Sequence, residues 1–204
     1  EKFARTKTET YESDLAQTLN RLAILYYDTQ GFSNVEKHFL GVLAIYERLA
    51  ANYPKAYGWL LAQALTNLGE LYCKMHRFSA VEECYFRSLA IFKRLATTYA
   101  DVYGPSYVYT LNNVSEYSLL VQKYAQAEEY SREALKWSDD INIYTNLAAA
   151  ILLQGRFEEA KQIYLTYKDD LKDAFLNDFQ TLKDNNAIPE HLIGDVEKII
   201  ELIS

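Results

Sequence analysis

Helix breakers are scarce: the 204 residues include 3 prolines and 7 glycines. Few positions therefore force a helix to end, and the composition suits a nearly all-helical protein. Cysteine is almost absent too. Cys73 and Cys84 form neither a disulfide framework nor a metal-ligand spacing, so both read as ordinary small helix residues. Two isolated thiols suit a reducing compartment, cytoplasmic rather than secreted. No apolar run approaches the ~20 residues of a membrane helix, and no signal peptide is visible. Positive charge is in the minority, with 21 Lys and Arg against 28 Asp and Glu, for a net charge of −7. No basic stripe stands out, which argues against a nucleic-acid partner. What the chain has in plenty is apolar side chains, at half of all residues, and tyrosine, at 18.

That apolar content is periodic. The stretch Ala62 to Ala96 reads as two amphipathic helices joined by a tight turn, and it recurs. Its markers are Leu65, Asn67, Leu68, Gly69, Tyr72, Phe78, Val81, Glu82, Leu89 and Leu95. A step back of about 46 residues, long enough for a stacked helical unit, gives Leu19, Arg21, Leu22, Ala23, Tyr26, Phe32, Val35, Glu36, Leu43 and Leu49. The same step forward gives Leu111, Asn113, Val114, Ser115, Ser118, Tyr124, Ala127, Glu128 and Leu135. A fourth copy follows after about 33 residues, with Tyr144, Asn146, Leu147, Ala148, Ile151, Phe157, Ala160 and Tyr164. Within a copy, Leu68 and Tyr72 share one face of the first helix, and Val81, Tyr85 and Leu89 form a stripe on the second. Gly69 costs about 1 kcal/mol of helix propensity, so its missing side chain is expected to serve a close approach of the second helix. One helix pair cannot cover its own apolar face, so neighbours must stack.

A Leu-(Gly/Ala)-x-x-Tyr helix, a turn, an aromatic, then Ala or Val three residues on resembles the tetratricopeptide repeat. The longer step, with Asn near the start of the first helix, is similar to kinesin light chain and its bacterial relatives. The resemblance covers Leu15 to Tyr167. It implies an all-α fold: a right-handed α-solenoid of antiparallel helix pairs, closed by C-terminal capping helices. The third copy departs from the pattern. Ser115 and Ser118 stand where Gly or Ala and Tyr are wanted, and looser packing is expected there.

In chain order, four helix pairs are placed at residues 15–57, 58–103, 104–140 and 141–168. Residues 1–14, through Phe3, Ala4 and Tyr11, align with the end of a second helix and read as the tail of a preceding repeat. With no initiator Met, the chain is expected to be a fragment or mature product of a longer array. In copy one the first helix is predicted over Leu15 to Asp28, the turn at Gln30-Gly31-Phe32, and the second helix from Ser33 to about Ala51. The residues beyond an ordinary ~34-residue repeat are expected mostly to extend the second helix, along Ile45, Leu49 and Tyr53. Tyr53-Pro54 through Gly58 should end it, with Val102-Tyr103-Gly104-Pro105 as the equivalent break in copy two. Copy three has a shorter second helix and the turn Ser138-Asp139-Asp140; copy four turns at Gln154-Gly155-Arg156-Phe157 and runs to about Tyr167. Residues 169–204 leave the pattern. Leu171, Phe175, Phe179 and Leu182 predict a helix from Asp170 to Lys183, stopped by Asn185-Asn186. Pro189 opens a last helix with Ile193, Val196, Ile199, Ile200 and Leu202. These two are expected to cap the array.

No catalytic site is expected. His38, Cys84 and Tyr130 occupy one slot in successive copies. A slot that accepts all three serves neither a nucleophile nor a ligand, because a nucleophile needs a positioned base and an orienting group. His76 shares a turn slot with Gln30, Gln122 and Gly155, and His191 follows Pro189 near a helix start. There is no His-x-x-x-His pair, paired-carboxylate motif or Gly-rich phosphate loop, so the chain is read as non-enzymatic, with no cofactor and no metal. Glu82-Glu83, Glu128-Glu129 and Glu158-Glu159 would complement the helix dipole at second-helix starts. Asn67, Asn113 and Asn146 could hold a ligand, but buried amides need partners, and bonding between adjacent repeats is the preferred reading.

In tetratricopeptide arrays the first helices line a concave surface. The resemblance implies the slots Gln17, Asn20, Ile24, Tyr27 and Asp28 in copy one, and Gln63, Thr66, Glu70, Cys73 and Lys74 in copy two. Copy three would supply Tyr109, Asn112, Glu116, Leu119 and Leu120, and copy four Asn142, Thr145, Ala149, Leu152 and Leu153. Of these, Gln17, Asn20, Tyr27, Gln63, Thr66, Glu70, Lys74, Tyr109, Asn112 and Glu116 are the expected peptide-binding residues. Their amides and hydroxyls would bond a peptide backbone. Asp28, Glu70 and Glu116 would favour neutral or basic side chains, and with Lys74 the one cation among the slots, an acidic C-terminal peptide is disfavoured. Leu119, Leu120, Leu152 and Leu153 should not face water together. Either the C-terminal helices fold back over them, which is the preferred account, or a partner does. The expected function is a protein-interaction module for a peptide or helix. The alternative is a structural, self-associating scaffold, a homodimer built on tyrosine-rich outer faces or on the leucine patch.

Overall fold

The computed structural model describes residues 2–26 and 32–204, with side chains from Tyr11 onward apart from Tyr26 and Ser33. Tyr27, Asp28 and the turn at Gln30-Gly31 lie outside the described residues, as do the side chains of Phe3, Ala4 and Tyr26. Among the described residues all regular structure is helical. The chain divides into two compact units, Glu1–Ser106 and Tyr107–Ser204. The first contains α1 (Lys2–Tyr26), α2 (Phe32–Asn52), α3 (Pro54–Lys74) and α4 (Phe78–Thr98). The division falls within α5 (Ala100–Leu120), and the second unit continues with α6 (Tyr124–Leu135), α7 (Ile143–Leu152), α8 (Phe157–Asp184), a short 3-10 turn at Glu190–Leu192, and α9 (Ile193–Ile203). Within each unit consecutive helices pack on one another, α1 to α4 in the first and α6 to α9 in the second, as a helical-repeat array requires.

The repeat shows in the joints. Tyr53 (φ −136°, ψ 65°) separates α2 from α3, and Tyr99 (φ −137°, ψ 68°) follows α4 in the same conformation. Each tyrosine meets the one four residues on, Tyr57 or Tyr103, edge to face at 6.3 Å. Pro54 then opens α3 at its first turn, where a missing N–H leaves no helical bond unmade. Of the break expected over Tyr53 to Gly58, the chain uses Tyr53 and Pro54, while Gly58 lies inside α3; the break expected at Val102–Pro105 is corrected, since Gly104 and Pro105 lie inside α5. The carbonyl that Pro105 leaves without its helical bond belongs to Asp101, in the exposed first turn, where water can take it. The added residues lengthen first and second helices alike, to 21 residues in each of α2, α3 and α4.

A second joint closes the three helix pairs whose turns are described. His76, Gln122 and Gly155 have φ of 54°, 60° and 78°. The residue after each donates its N–H to the carbonyl five back: Arg77 to Tyr72 at 2.9 Å, Lys123 to Ser118 at 2.8 Å, Arg156 to Ile151 at 3.2 Å. This is the Schellman closure, which needs one left-handed residue. The turn slot that the register assigns to His76, Gln122 and Gly155 is that residue. Asn186 (φ 52°), with Ala187 donating to Leu182 at 2.8 Å, repeats the closure after α8, where the sequence shows no further copy.

Two helices run longer than expected. α1 is continuous from Lys2 to Tyr26, where a repeat tail and a separate helix from Leu15 were expected. α8 spans 28 residues, joining the second helix of copy four to the predicted tail helix. No Gly or Pro interrupts either junction, so the helix propagates at one bond per residue. The buried stripe of α8 runs on through Ala160, Tyr164, Leu171, Phe175 and Phe179.

Packing inside the pairs follows the register with one adjustment and one correction. On α4 the buried stripe is Val81, Tyr85, Ser88 and Phe92, with Leu89 only half-buried. A Cβ built on Gly69 would sit 2.5 Å from Cδ1 of the Tyr85 ring, so the glycine does admit α4 closely. In copy three the equivalent partners are Ser115 and Ser131, and the looser packing expected there is not found. Ser115 lies 2.8 Å from the Ser131 hydroxyl and donates to the Ala127 carbonyl at 2.8 Å, while Ser118 donates to the Val114 carbonyl at 2.7 Å. All three serines are buried. A small pair closed by hydroxyl bonds replaces a glycine under a ring.

The leucines have a cover. Leu119, Leu152 and Leu153 share one core with Phe175, Phe179 and Leu182 of α8 and Val196, Ile199 and Ile203 of α9, and Leu120 packs against it. The C-terminal helices therefore bury the patch, and a homodimer through Leu119 and Leu152 has no exposed surface to use. The tail is pinned by Tyr124, whose hydroxyl donates to the Ala187 carbonyl at 2.7 Å, and by Gln122, whose amide donates to the Asn186 carbonyl at 3.0 Å.

Candidate functional site

In the first unit, α1 and α3 present Gln17, Asn20, Arg21, Trp59 and Gln63 around a cleft of about 200 Å³, with Tyr46 of α2 in its lining. Gln17 and Gln63 are exposed, Asn20 is half-buried, and Trp59 is 36 % exposed. The volume suits one side chain rather than a drug-sized ligand, which needs roughly 300 Å³ or more. Burial raises the Tyr46 phenol, so that hydroxyl stays protonated. Three of the expected peptide-binding residues thus meet at one place. Glu70, half-buried, and Lys74, exposed, stand further along α3 and do not line the cleft.

Thr66 is a correction. It was expected at an exposed slot, but it is buried, donates to the Ala62 carbonyl at 3.1 Å, and lies 2.7 Å from the Ser88 hydroxyl. The Ser88 contact places it against α4 rather than in the cleft.

The amides of the repeat do something else. Asn67 of α3 donates to the Asn20 side chain of α1 at 3.0 Å. Asn146 of α7 donates to the side-chain oxygen of Asn112 at 2.9 Å and to its carbonyl at 3.2 Å. Adjacent repeats are therefore tied by asparagine, the preferred of the two readings, and the side-chain oxygens of Asn20 and Asn112 are engaged in that bond. A second tie runs along the turns. Arg77 pairs with Glu36 at 2.5 Å, and its counterpart Arg156 pairs with Glu128 at 2.6 Å. Burial alone would raise the Glu128 carboxyl, but hydrogen bonds from Arg156, Gln154 and Arg132 hold it at about 2. The recurring glutamate thus bridges to the next repeat, and the dipole role expected of it is corrected: Glu36 and Glu128 lie past the first turn of α2 and α6, beyond the reach of the helix dipole.

In the second unit, Tyr109 and Glu116 are exposed on α5 and Asn112 is half-buried. On α7, Asn142 is exposed, while Thr145, Ala149, Leu152 and Leu153 are buried. Sequence reasoning missed Asp178 of α8. Burial pushes its carboxyl up to about 7, the charge of Glu116 adds to that, and a hydrogen bond with Thr145 opposes it. Its Oδ2 is buried with no hydrogen-bond partner among the described residues. Only the continuity of α8, which the sequence pattern does not show, puts Asp178 beside two slot residues. Arg21 and Trp59 were also missed. Arg21 could have been noticed, since it replaces the asparagine of the other copies; Trp59 carries no repeat signal.

Burial pushes the Cys84 thiol up to about 11, with Glu83 adding to it, which leaves an unreactive thiol at neutral pH. His76 holds the left-handed turn and meets Phe78 edge to face at 5.9 Å. Among the described residues no three His, Cys, Asp or Glu are grouped to hold a metal, and no helix is long and apolar enough to cross a membrane. The sequence matches no protein-family model and no curated protein.

Proposed function

We propose that this chain is a right-handed solenoid of the tetratricopeptide type, and a non-enzymatic module that binds an extended peptide or a helix along its first helices. The observation that carries the reading is the cleft in the first unit, where exposed Gln17 and Gln63 stand on consecutive first helices beside Trp59. Primary amides both donate and accept, so two of them in one cleft suit the alternating N–H and C=O groups of a peptide backbone. Trp59 adds an apolar face for one side chain. A neutral or basic partner is favoured by the net charge of −7 and, in the second unit, by exposed Glu116.

The test is photo-crosslinking with the reactive group placed at Gln63 or, as a control, at exposed Glu83 on α4. The Gln63 position should capture a partner from the native source, the Glu83 position should not, and Gln17→Ala with Trp59→Ala should abolish the capture at position 63. Equal capture from both positions, or capture indifferent to the two alanines, would place the binding surface elsewhere. A second reading, a self-associating scaffold, is favoured by a different place, the open cleft between α8 and α9.

A further inference from the structure

We propose that the chain forms a two-fold dimer through the cleft between α8 and α9, packing these helices against α8 and α9 of a second copy. The cleft measures about 760 Å³. Leu176, Gln180 and Lys183 form one wall at helical spacing on α8; Ile193, Glu197 and Ile200 form the other at the same spacing on α9. Phe179 and Val196 lie between the walls, buried. Ile193 is 45 % exposed, an isoleucine standing beside apolar neighbours with nothing over it among the described residues. Two parallel ridges with a groove between them are the surface that receives another helix, and helix pairs facing each other in this way make a four-helix bundle.

Charge selects a second copy as the occupant. Lys183 lines the α8 wall, while Glu197 and Glu190 line the opposite side. None of the three has an ion-pair partner among the described residues, whereas Lys198, also on α9, pairs with Asp195 at 2.8 Å. About a two-fold axis a patch meets itself inverted. Lys183 of one protomer then faces Glu197 of the second, and the reverse pair forms on the other side of the axis. A cleft lined by a single sign would repel its own copy. The surface is independent of the peptide cleft in the first unit, and the leucines that could have served self-association are already covered.

Sedimentation of the whole chain tests this. The parent should sediment at twice 23.6 kDa. Ile193→Glu should be monomeric with an unchanged circular-dichroism spectrum, since the side chain is already partly in water. Lys183→Glu should weaken association by about tenfold or more, and adding Glu197→Lys to it should restore the dimer. A parent that stays monomeric up to about 100 µM would overturn the proposal. So would a dimer that survives Ile193→Glu, or a Lys183→Glu variant that Glu197→Lys does not rescue.

Discussion

Replacing Gly69 by Ala sets two effects of known size against each other. In an isolated helix the change gains about 1 kcal/mol, because alanine loses less backbone freedom than glycine. Here the new Cβ would lie 2.5 Å from Cδ1 of Tyr85 and closer still to Cε1. Tyr85 is 3 % exposed, so the ring cannot swing into water, and either it or α4 must shift. Overpacking of that kind costs typically 1–3 kcal/mol, so the net expectation is a loss of about 1 kcal/mol. Gly58 supplies the control on the same helix. It too is buried, but a Cβ there meets nothing within 4 Å, and Gly58→Ala should gain roughly 0.5–1 kcal/mol. With a urea slope of about 2 kcal/mol/M, each change moves the midpoint by roughly 0.3–0.5 M, in opposite directions. Tyr85→Leu should also make Gly69→Ala nearly harmless, because the clash is with the ring, and contacting residues show such coupling. If Gly69→Ala raised the midpoint as much as Gly58→Ala does, the close approach of α3 and α4 at this glycine would be refuted.

The left-handed turn slots give a second pair of opposite signs. His76→Gly should gain roughly 0.5–1 kcal/mol, while Gly155→Ala should lose about 1–2 kcal/mol, read by urea midpoints. Ser131→Ala should cost about 1–3 kcal/mol, since it leaves the buried Ser115 hydroxyl one partner short, and thermal unfolding would show it. Asp178 predicts a pH dependence. Its carboxyl titrates at about 7 in the folded chain and near its ordinary value of 3.8 when unfolded, so its contribution to stability is fully present below about pH 4 and is lost as pH rises through 7. The loss is at most roughly 4 kcal/mol. Asp178→Asn should therefore raise the urea midpoint at pH 8 and flatten the difference between pH 4 and pH 8; parallel profiles for parent and variant would contradict this.

Much of the fold was legible because the repeat writes the same local chemistry several times. The slot holding His76, Gln122 and Gly155 was visible as a turn position, though its left-handed backbone was not, since only one of the three is glycine. Gly69 announced a close approach by costing helix propensity, and the coordinates supply the ring that fills the space. The helix ends were misplaced for a definite reason. Gly58, Gly104 and Pro105 read as breakers, yet the chain turns at Tyr53, the first residue of one expected break, and at Tyr99, ahead of the other, where an aromatic pair holds each corner. The junctions inside α1 and α8 looked like boundaries because the repeat phase changes there, but a change of phase is no obstacle to a backbone hydrogen bond.

The candidate site was half legible. Gln17, Asn20 and Gln63 could be drawn together by register alone, because residues at one position of successive helices fall on one flank. Thr66 could not be separated from them, since what distinguishes it is Ser88 on another helix.

The sequence by itself determined the helix period, the repeat step and the turn slot of His76, Gln122 and Gly155, all of which follow from apolar spacing and turn chemistry along a few neighbouring residues. Tertiary structure alone decided which side of each helix meets a neighbour. It buried Leu119, Leu152 and Leu153 in one core with α8 and α9, engaged Asn20 and Asn112 between repeats, and set Asp178 against Glu116. Each of those outcomes depends on atoms contributed by a distant helix, and no local pattern records where that helix will lie.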